Sequence, residues 1–520
     1  MDSLISNSIE TEKNQSAAEA WPDDALNGTA PTGNVFRDHA YSPQEIISFE
    51  KAREQLPIPI LPGYDEWEAM YWRAWEIAWS HLRQPTSENG FVANYLDTVA
   101  DGKEAHMWDS AFMVQFGFYG RHAFDFMGTL DNFYAKQHDD GFIPRAIRTA
   151  DGSEIGHPFE PNSTGPNILA WAEWRHFRVT GDVKRVKKAF GPLIDYHRWC
   201  RENRTWRDGL YWGTAKSSGL TNQDRIPNGR YHHQHWAWVD ETMRAILNCL
   251  ALQQMALALG KHEQAQELGE ERARLSQTAN EKLWNSQTNF YQDLDRHGRF
   301  NESKTIAAYW ALLDSGVVPK NRLDAFLRHL HEPTAFKRPH MAPSLSADSS
   351  GYDSKTGQGW RGGVWPSTNF MLLKGLRTVD QHVLAHRISL NHLEYVCEVF
   401  KDTNTFWENY APETAMPGLQ ARPNYVGWAG LSPIAVLLED ALGLMTDWPQ
   451  RRVMWDRRLK CTGHYGVQNY PLGPNYTLDL LGDDSMIFVT TDVPFTLVLR
   501  SEEMTLQKAI APGTTEIPLK

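Results

Sequence analysis

Cysteine is scarce: Cys200, Cys249, Cys397 and Cys461 are the only four in 520 residues, and no two stand at CxxC or Cys/His metal spacing. The chain therefore reads as one with packed, reduced thiols, not as a disulfide frame or a zinc module. No run approaches the ~18 apolar residues of a membrane span. The opening residues MDSLISNSIETEKNQ hold no basic stretch leading into an apolar one, which predicts a cytoplasmic protein without a membrane partner. Basic residues are outnumbered, 52 Lys and Arg against 64 Asp and Glu, for a net charge of −12. That balance excludes the clustered basic face that nucleic acid requires. Neither a phosphate loop, a dinucleotide fingerprint nor a serine nucleophile elbow occurs in strand–helix context, and no cofactor is called for.

Tryptophan, by contrast, is abundant, at 21 residues. An indole offers a flat apolar face to sugar C–H groups and an N–H to hydroxyls, so tryptophans near Gly-rich loops point to a carbohydrate-type pocket. Residues 1–60 mix Ser, Asn, Asp, Glu and Pro with little periodicity and form an N-terminal arm, partly irregular. Over 61–447, helical patterns alternate with loops rich in Gly, Pro, Asn and Trp. The clearest follows Asp240, where Met243, Ile246, Leu250 and Leu257 recur at about 3.6 residues before Gly260. Similar patterns near 65–83, 108–135, 166–180, 187–203, 262–284, 303–314, 320–331, 366–377, 380–400 and 431–446 make about a dozen helices. That number suits two concentric rings of six, a mainly α (α/α)6 toroid. Over 448–520 the β-branched and aromatic runs 486–491 and 495–499 predict a small C-terminal β-domain.

Four loops carry candidate chemistry. Met107-Trp108-Asp109-Ser110-Ala111-Phe112 places a carboxylate beside an indole. Trp360-Arg361-Gly362-Gly363-Val364-Trp365-Pro366 combines a guanidinium fork, two glycines that let backbone approach a ligand, and two indoles ahead of a helix start. Phe406-Trp407-Glu408-Asn409-Tyr410-Ala411-Pro412-Glu413-Thr414 is followed by Tyr425-Val426-Gly427-Trp428, and Ser218-Gly219-Leu220-Thr221-Asn222-Gln223-Asp224-Arg225 forms the fourth. In chain order they resemble the WDS(A/F/Y)F, SG-x-D, WRGPxW and ENY-x-PETG elements of glycoside hydrolase family 63 and of the related trehalases. The resemblance covers roughly residues 65–445.

This likeness implies a six-hairpin glycosidase fold and an inverting α-glycosidase acting on a small α-glucoside or α-mannoside, such as a glycosyl-glycerate or a disaccharide. It implies Glu408 as general base, with Glu413 as runner-up, Asp109 as the grip on sugar hydroxyls, and Trp108, Asn222, Trp360, Arg361, Gly362, Trp365, Tyr410 and Trp428 as substrate-binding residues. Inversion needs a carboxylate that activates water and an acid on the opposite face, with ~6.5–9.5 Å between carboxyl groups. The resembling enzymes carry that acid as the Asp of SG-x-D, where this chain has Thr221, whose hydroxyl has no titratable proton near neutral pH. Asp224 is the provisional acid, with Glu160 and Asp240 as alternatives. A second departure is Thr164-Gly165-Pro166-Asn167 in place of the family's (S/T)QPP. These two changes motivate the alternative of a glycosidase-fold protein that isomerises, eliminates or cyclises a metabolite, or only binds sugar. In Tyr231-His232-His233-Gln234-His235-Trp236 the histidines lack the partners of a metal set; His235 is read as lining the cleft, and no metal is expected. The partner is a small molecule.

Overall fold

The computed structural model describes residues 33–519 apart from 39, 40, 42, 43, 101, 224 and 503. Twelve helical elements alternate in the chain between an outer and an inner position. The outer set is Asp65–Ser80, Gly128–Ala135, Val183–Asn203, His262–Lys282, Lys320–Arg328 and His382–Thr403. The inner set is Met107–Gly117, Leu169–Thr180, Val239–Ala258, a 3₁₀ segment Ile306–Leu313, Pro366–Thr378 and a π-helical segment Ser432–Ala441. Each inner element packs on the next and the last returns to the first, which closes an (α/α)6 toroid. Composition separates the rings. Every residue of Met107–Gly117, Ile306–Leu313 and Ser432–Ala441 is buried, as for a helix with apolar neighbours on all sides. His262–Lys282 buries only Ala265, Leu268, Glu271, Leu275 and Ala279, a single stripe.

Local chemistry sets the boundaries. Pro366 starts its helix at a position whose N–H would have no partner. Gly181 ends Leu169–Thr180 at φ +72°, and the Asp182 side chain then accepts from the Arg185 amide to start Val183–Asn203. The pattern near 108–135 divides into two helices around Phe118–Gly120.

The C-terminal strands form two sheets. One orders Ile58–Ile60, Tyr465–Leu472, Tyr476–Gly482, Met486–Thr491 and Gly513–Pro518; the other orders Leu444–Asp447, Arg452–Asp456, Phe495–Arg500 and Thr505–Ile510. The neighbouring runs 486–491 and 495–499 therefore fall in different sheets. Ile58–Ile60, from the end of the N-terminal arm, pairs antiparallel with Tyr465–Leu472, Ile58 opposite Gln468. A buried ionic network ties this β-domain to the toroid: Arg377 donates to Asp440 at 2.6 Å and to Asp456 of Arg452–Asp456 at 3.3 Å, and Lys374 lies 2.6 Å from Asp440 and from Glu439.

Candidate active site

The N-terminal ends of Met107–Gly117, Leu169–Thr180 and Pro366–Thr378 converge on one cavity of about 210 Å³. Trp108, Asp109, Glu408, Trp360, Trp365, Trp428 and Thr221 line it, together with His106, Arg145, Gly165, Pro166, Lys216, Gly219 and Arg422. Trp108 and Asp109 occupy the first turn of Met107–Gly117, Trp365 precedes Pro366–Thr378, and Gly165-Pro166 precede Leu169–Thr180. Helix N-termini carry partial positive charge and favour anions and polar oxygens there.

Four indoles make the apolar wall. Trp360 stacks on Trp365 at 3.7 Å and 6° and on Trp108 at 5.7 Å and 28°, and Trp428 closes on Trp108 at 5.7 Å and Trp365 at 5.5 Å. The Trp365 and Trp428 N–H groups donate to backbone carbonyls of Gly359 and Glu408, whereas the buried Trp108 Nε1 has no partner among the described residues. Gly219 sits at φ +82°, where a Cβ would fall 2.2 Å from the Trp108 ring, so only glycine lets that loop close on the indole.

The carboxylates belong to one network. Arg422 donates from Nε to Glu408 Oε2 at 3.1 Å and from Nη2 to Oε1 at 2.9 Å, and its guanidinium lies 4.8 Å over the Tyr425 ring. Tyr425 donates its hydroxyl to Asp109 Oδ1 at 2.5 Å. Burial raises the Asp109 carboxyl above its ordinary range, against the opposing pull of His106, the Tyr425 hydrogen bond and Arg422. Burial also works against the Arg422 charge, but the Glu408 carboxylate outweighs it and holds the guanidinium above its usual value. Each Glu408 oxygen retains a lone pair beyond the one the fork uses.

Two further cations, Lys216 and Arg145, line the cavity. Burial lowers Lys216, aided by Arg145, and burial likewise lowers Arg145. Neither has a carboxylate within ion-pair distance among the described residues, and Arg145 Nε is buried without a partner.

Other residues picked from the sequence lie elsewhere. The expectation that Arg361 joins Glu408 and Asp109 in the cavity is corrected: its Nε donates to the Gly351 carbonyl at 3.0 Å and its Nη1 to Gln358 Oε1 at 3.2 Å, so it braces its own loop. Asn222 is likewise a brace, accepting from the Trp360 amide at 2.9 Å and donating to the Gln358 carbonyl at 2.7 Å. Gly362, at φ +134°, makes a turn against the Tyr352 ring. Tyr410 is buried and its backbone pairs with Val364. His235 packs with His233 and Trp206, outside the cavity lining. Asp240 is fully buried and taken by Arg225 at 2.5 Å and Arg244 at 3.4 Å, Glu160 is exposed away from the cavity lining, and Glu413 pairs with Arg338 at 2.7 Å. Asp224 lies outside the described residues. Sequence reasoning missed Arg422, Tyr425, Arg145, Lys216 and His106; the only signal was that His106 adjoins the Trp108-Asp109 motif and Tyr425 shares a loop with Trp428.

Comparison with known proteins bears on the family and the fold. Residues 103–428 match the family model of the mannosylglycerate hydrolase MGH1-like glycoside hydrolase domain. A mannosylglycerate hydrolase of Thermus thermophilus in complex with glucose has a similar structure, with TM-score 0.56 and 19% identity over 70% of this chain and 98% of that one. The neutral trehalase of Saccharomyces cerevisiae is similar at TM-score 0.52 and 14% identity, over 76% of this chain and 80% of that one. Among curated sequences, an uncharacterized protein of Borreliella burgdorferi is 24% identical over 67% of this chain and 73% of its own length. A probable mannosyl-oligosaccharide glucosidase of Schizosaccharomyces pombe is 22% identical over 51% of this chain, which spans about a third (33%) of that protein. The family model extends over more than half of the chain and takes in every motif around the cavity, so the chain belongs to the mannosylglycerate hydrolase MGH1-like family of glycoside hydrolases.

Proposed function

We propose that the chain hydrolyses a small α-glucoside or α-mannoside whose leaving group carries an anion, with inversion at the anomeric carbon. The observation that carries the reading is the meeting of Asp109, Glu408 and four indoles with two cations, Arg145 and Lys216, that have no ion-pair partner among the described residues, in one small hollow. Its volume, about 210 Å³, lies under the ~300–1,000 Å³ of sites for drug-sized ligands, which favours one sugar ring with a short aglycone. The sugar stacks on indole and donates two hydroxyls to Asp109, with the Trp108 N–H as a further contact. Glu408, held as a carboxylate by Arg422, takes a proton from water attacking the anomeric carbon. Arg145 and Lys216 meet the negative group of the aglycone, as in a glycosyl-glycerate.

The test is proton NMR of the sugar first released from α-glucosyl-glycerate and α-mannosyl-glycerate, beside the neutral glycosyl-glycerols. The β-anomer is expected, with preference for the acid. Glu408→Gln is expected to lose ~10²–10⁴-fold in kcat, and Arg145→Met to lose the preference for the anionic substrate through KM. Release of the α-anomer, or full turnover by Glu408→Gln, refutes the assignment. A second reading, sugar binding without turnover, draws on Thr221 in the cavity lining; calorimetry showing saturable binding with no product would favour it.

A further inference from the structure

An alkoxide leaves a sugar only when a proton reaches the glycosidic oxygen, and Thr221, though it lines the cavity, has none to give. Among the described lining residues, a carboxyl, ammonium or imidazole group is carried by Asp109, Glu408, Lys216 and His106. The first two are committed to Tyr425 and Arg422. His106 ends the strand Glu104–His106, which pairs with Ala146–Arg148, His106 opposite Ala146. One two-stranded ribbon thus brings His106 and Arg145 to the same rim. The imidazole Nε2 lies 3.3 Å from Glu104 Oε2, and both side chains are partly open to solvent. The carboxylate of Glu104 is held below its ordinary range, first by its hydrogen bond with His106 and then by the fields of His106, Arg145 and Lys216. His106, Asp109 and Glu408 line the same cavity.

From this arrangement we propose that His106 is the catalytic acid of the reaction, replacing a carboxyl absent at Thr221, with Glu104 as its positioning residue. The proposal rests on the hydrolytic reading above. Glu104 holds Nε2, so Nδ1 delivers the proton. As the bond from the anomeric carbon to the glycosidic oxygen breaks, its electron pair stays on that oxygen, which takes the imidazolium proton. Water forms the new bond to the anomeric carbon and gives a proton to Glu408. Exchange with solvent returns the proton from Glu408 and reloads His106, so nothing else is consumed. Glu104 and Asp109 interact with His106, and Arg145 and Lys216 line the same cavity.

The test compares an α-glycosyl-glycerate with the corresponding α-glycosyl fluoride, whose leaving group needs no full protonation. His106→Gln is expected to lose ~10²–10⁴-fold in kcat on the glycerate while keeping the fluoride within tenfold, and to lose the alkaline limb of the kcat/KM profile. Its fluoride activity also shows that the variant is folded. Glu104→Gln is expected to move that limb to lower pH without changing KM. Equal loss on both substrates overturns the proposal, as does the fluoride-sparing pattern appearing instead in Lys216→Met or Asp224→Asn. Glu408→Gln separates the two claims: if it spares both substrates, the hydrolytic reading fails and the proton donor with it; if it abolishes both while His106→Gln spares both, only the His106 assignment fails.

Discussion

Removing one oxygen atom from Tyr425 tests the network that joins sugar grip to base. In Tyr425→Phe the hydroxyl that donates to Asp109 at 2.5 Å disappears, and both groups are buried. A hydrogen bond to a charged partner contributes about 1.5–3 kcal/mol, and here the charge is the ionised Asp109. Burial already raises this carboxyl and the Tyr425 bond opposes that rise, so the variant raises it further. The sign follows from linkage. A carboxyl raised on folding binds its proton more tightly in the native state, so its contribution to stability falls as pH rises through the window above its ordinary value. Loss of the Tyr425 bond deepens that fall: the full 1.5–3 kcal/mol or so appears at pH 8, and the difference shrinks toward pH 4. With an unfolding entropy of ~2.1 cal/mol/K per residue, a chain of this size converts the loss at pH 8 into about 1–3 °C of melting temperature. Calorimetry of both proteins at the two pH values measures it, and the acid limb of kcat/KM is expected to move to higher pH in the variant. A melting difference that is the same at pH 8 and pH 4, with an unmoved acid limb, would refute the reasoning.

Three further outcomes are expected. Gly219→Ala puts a Cβ about 2.2 Å from the Trp108 ring in a left-handed conformation, so a loss of about 1–3 kcal/mol and a raised KM are expected, read by calorimetry and kinetics. Arg377→Met leaves Asp440 and Asp456 without their shared cation, an expected loss of about 3–5 kcal/mol. Although burial pushes Asp440 up, Lys374 and Arg377 outweigh it and hold it low, so this stabilisation is present above the ordinary carboxylate range and lost as pH falls; the variant should show a weaker acid dependence of its melting temperature. Arg361→Met removes loop bonds to Gly351 and Gln358, and should cost roughly 1–3 kcal/mol while kcat on any active glycoside stays within a few-fold, in contrast to Glu408→Gln.

By itself the sequence determined the toroid and the chemical character of its pocket. Apolar periodicity located the helices because burial on one stripe or on all sides writes itself into spacing along a single element. The elements around Trp108-Asp109, Trp360 to Trp365 and Glu408 named an indole-lined carboxylate site because those residue types sit at fixed offsets in short loops. Tertiary structure alone decided which way each loop side chain turns. Arg361 and Asn222 satisfy neighbouring backbone carbonyls and amides, a choice set by loops more than a hundred residues away in the case of Asn222 and Trp360. Tyr425 came to Asp109 through ring closure, and Arg145 reached the cavity through the pairing of Glu104–His106 with Ala146–Arg148. Asp109 and Tyr425 are separated by 316 residues, and no local spacing encodes a contact that exists only because the last inner element packs against the first.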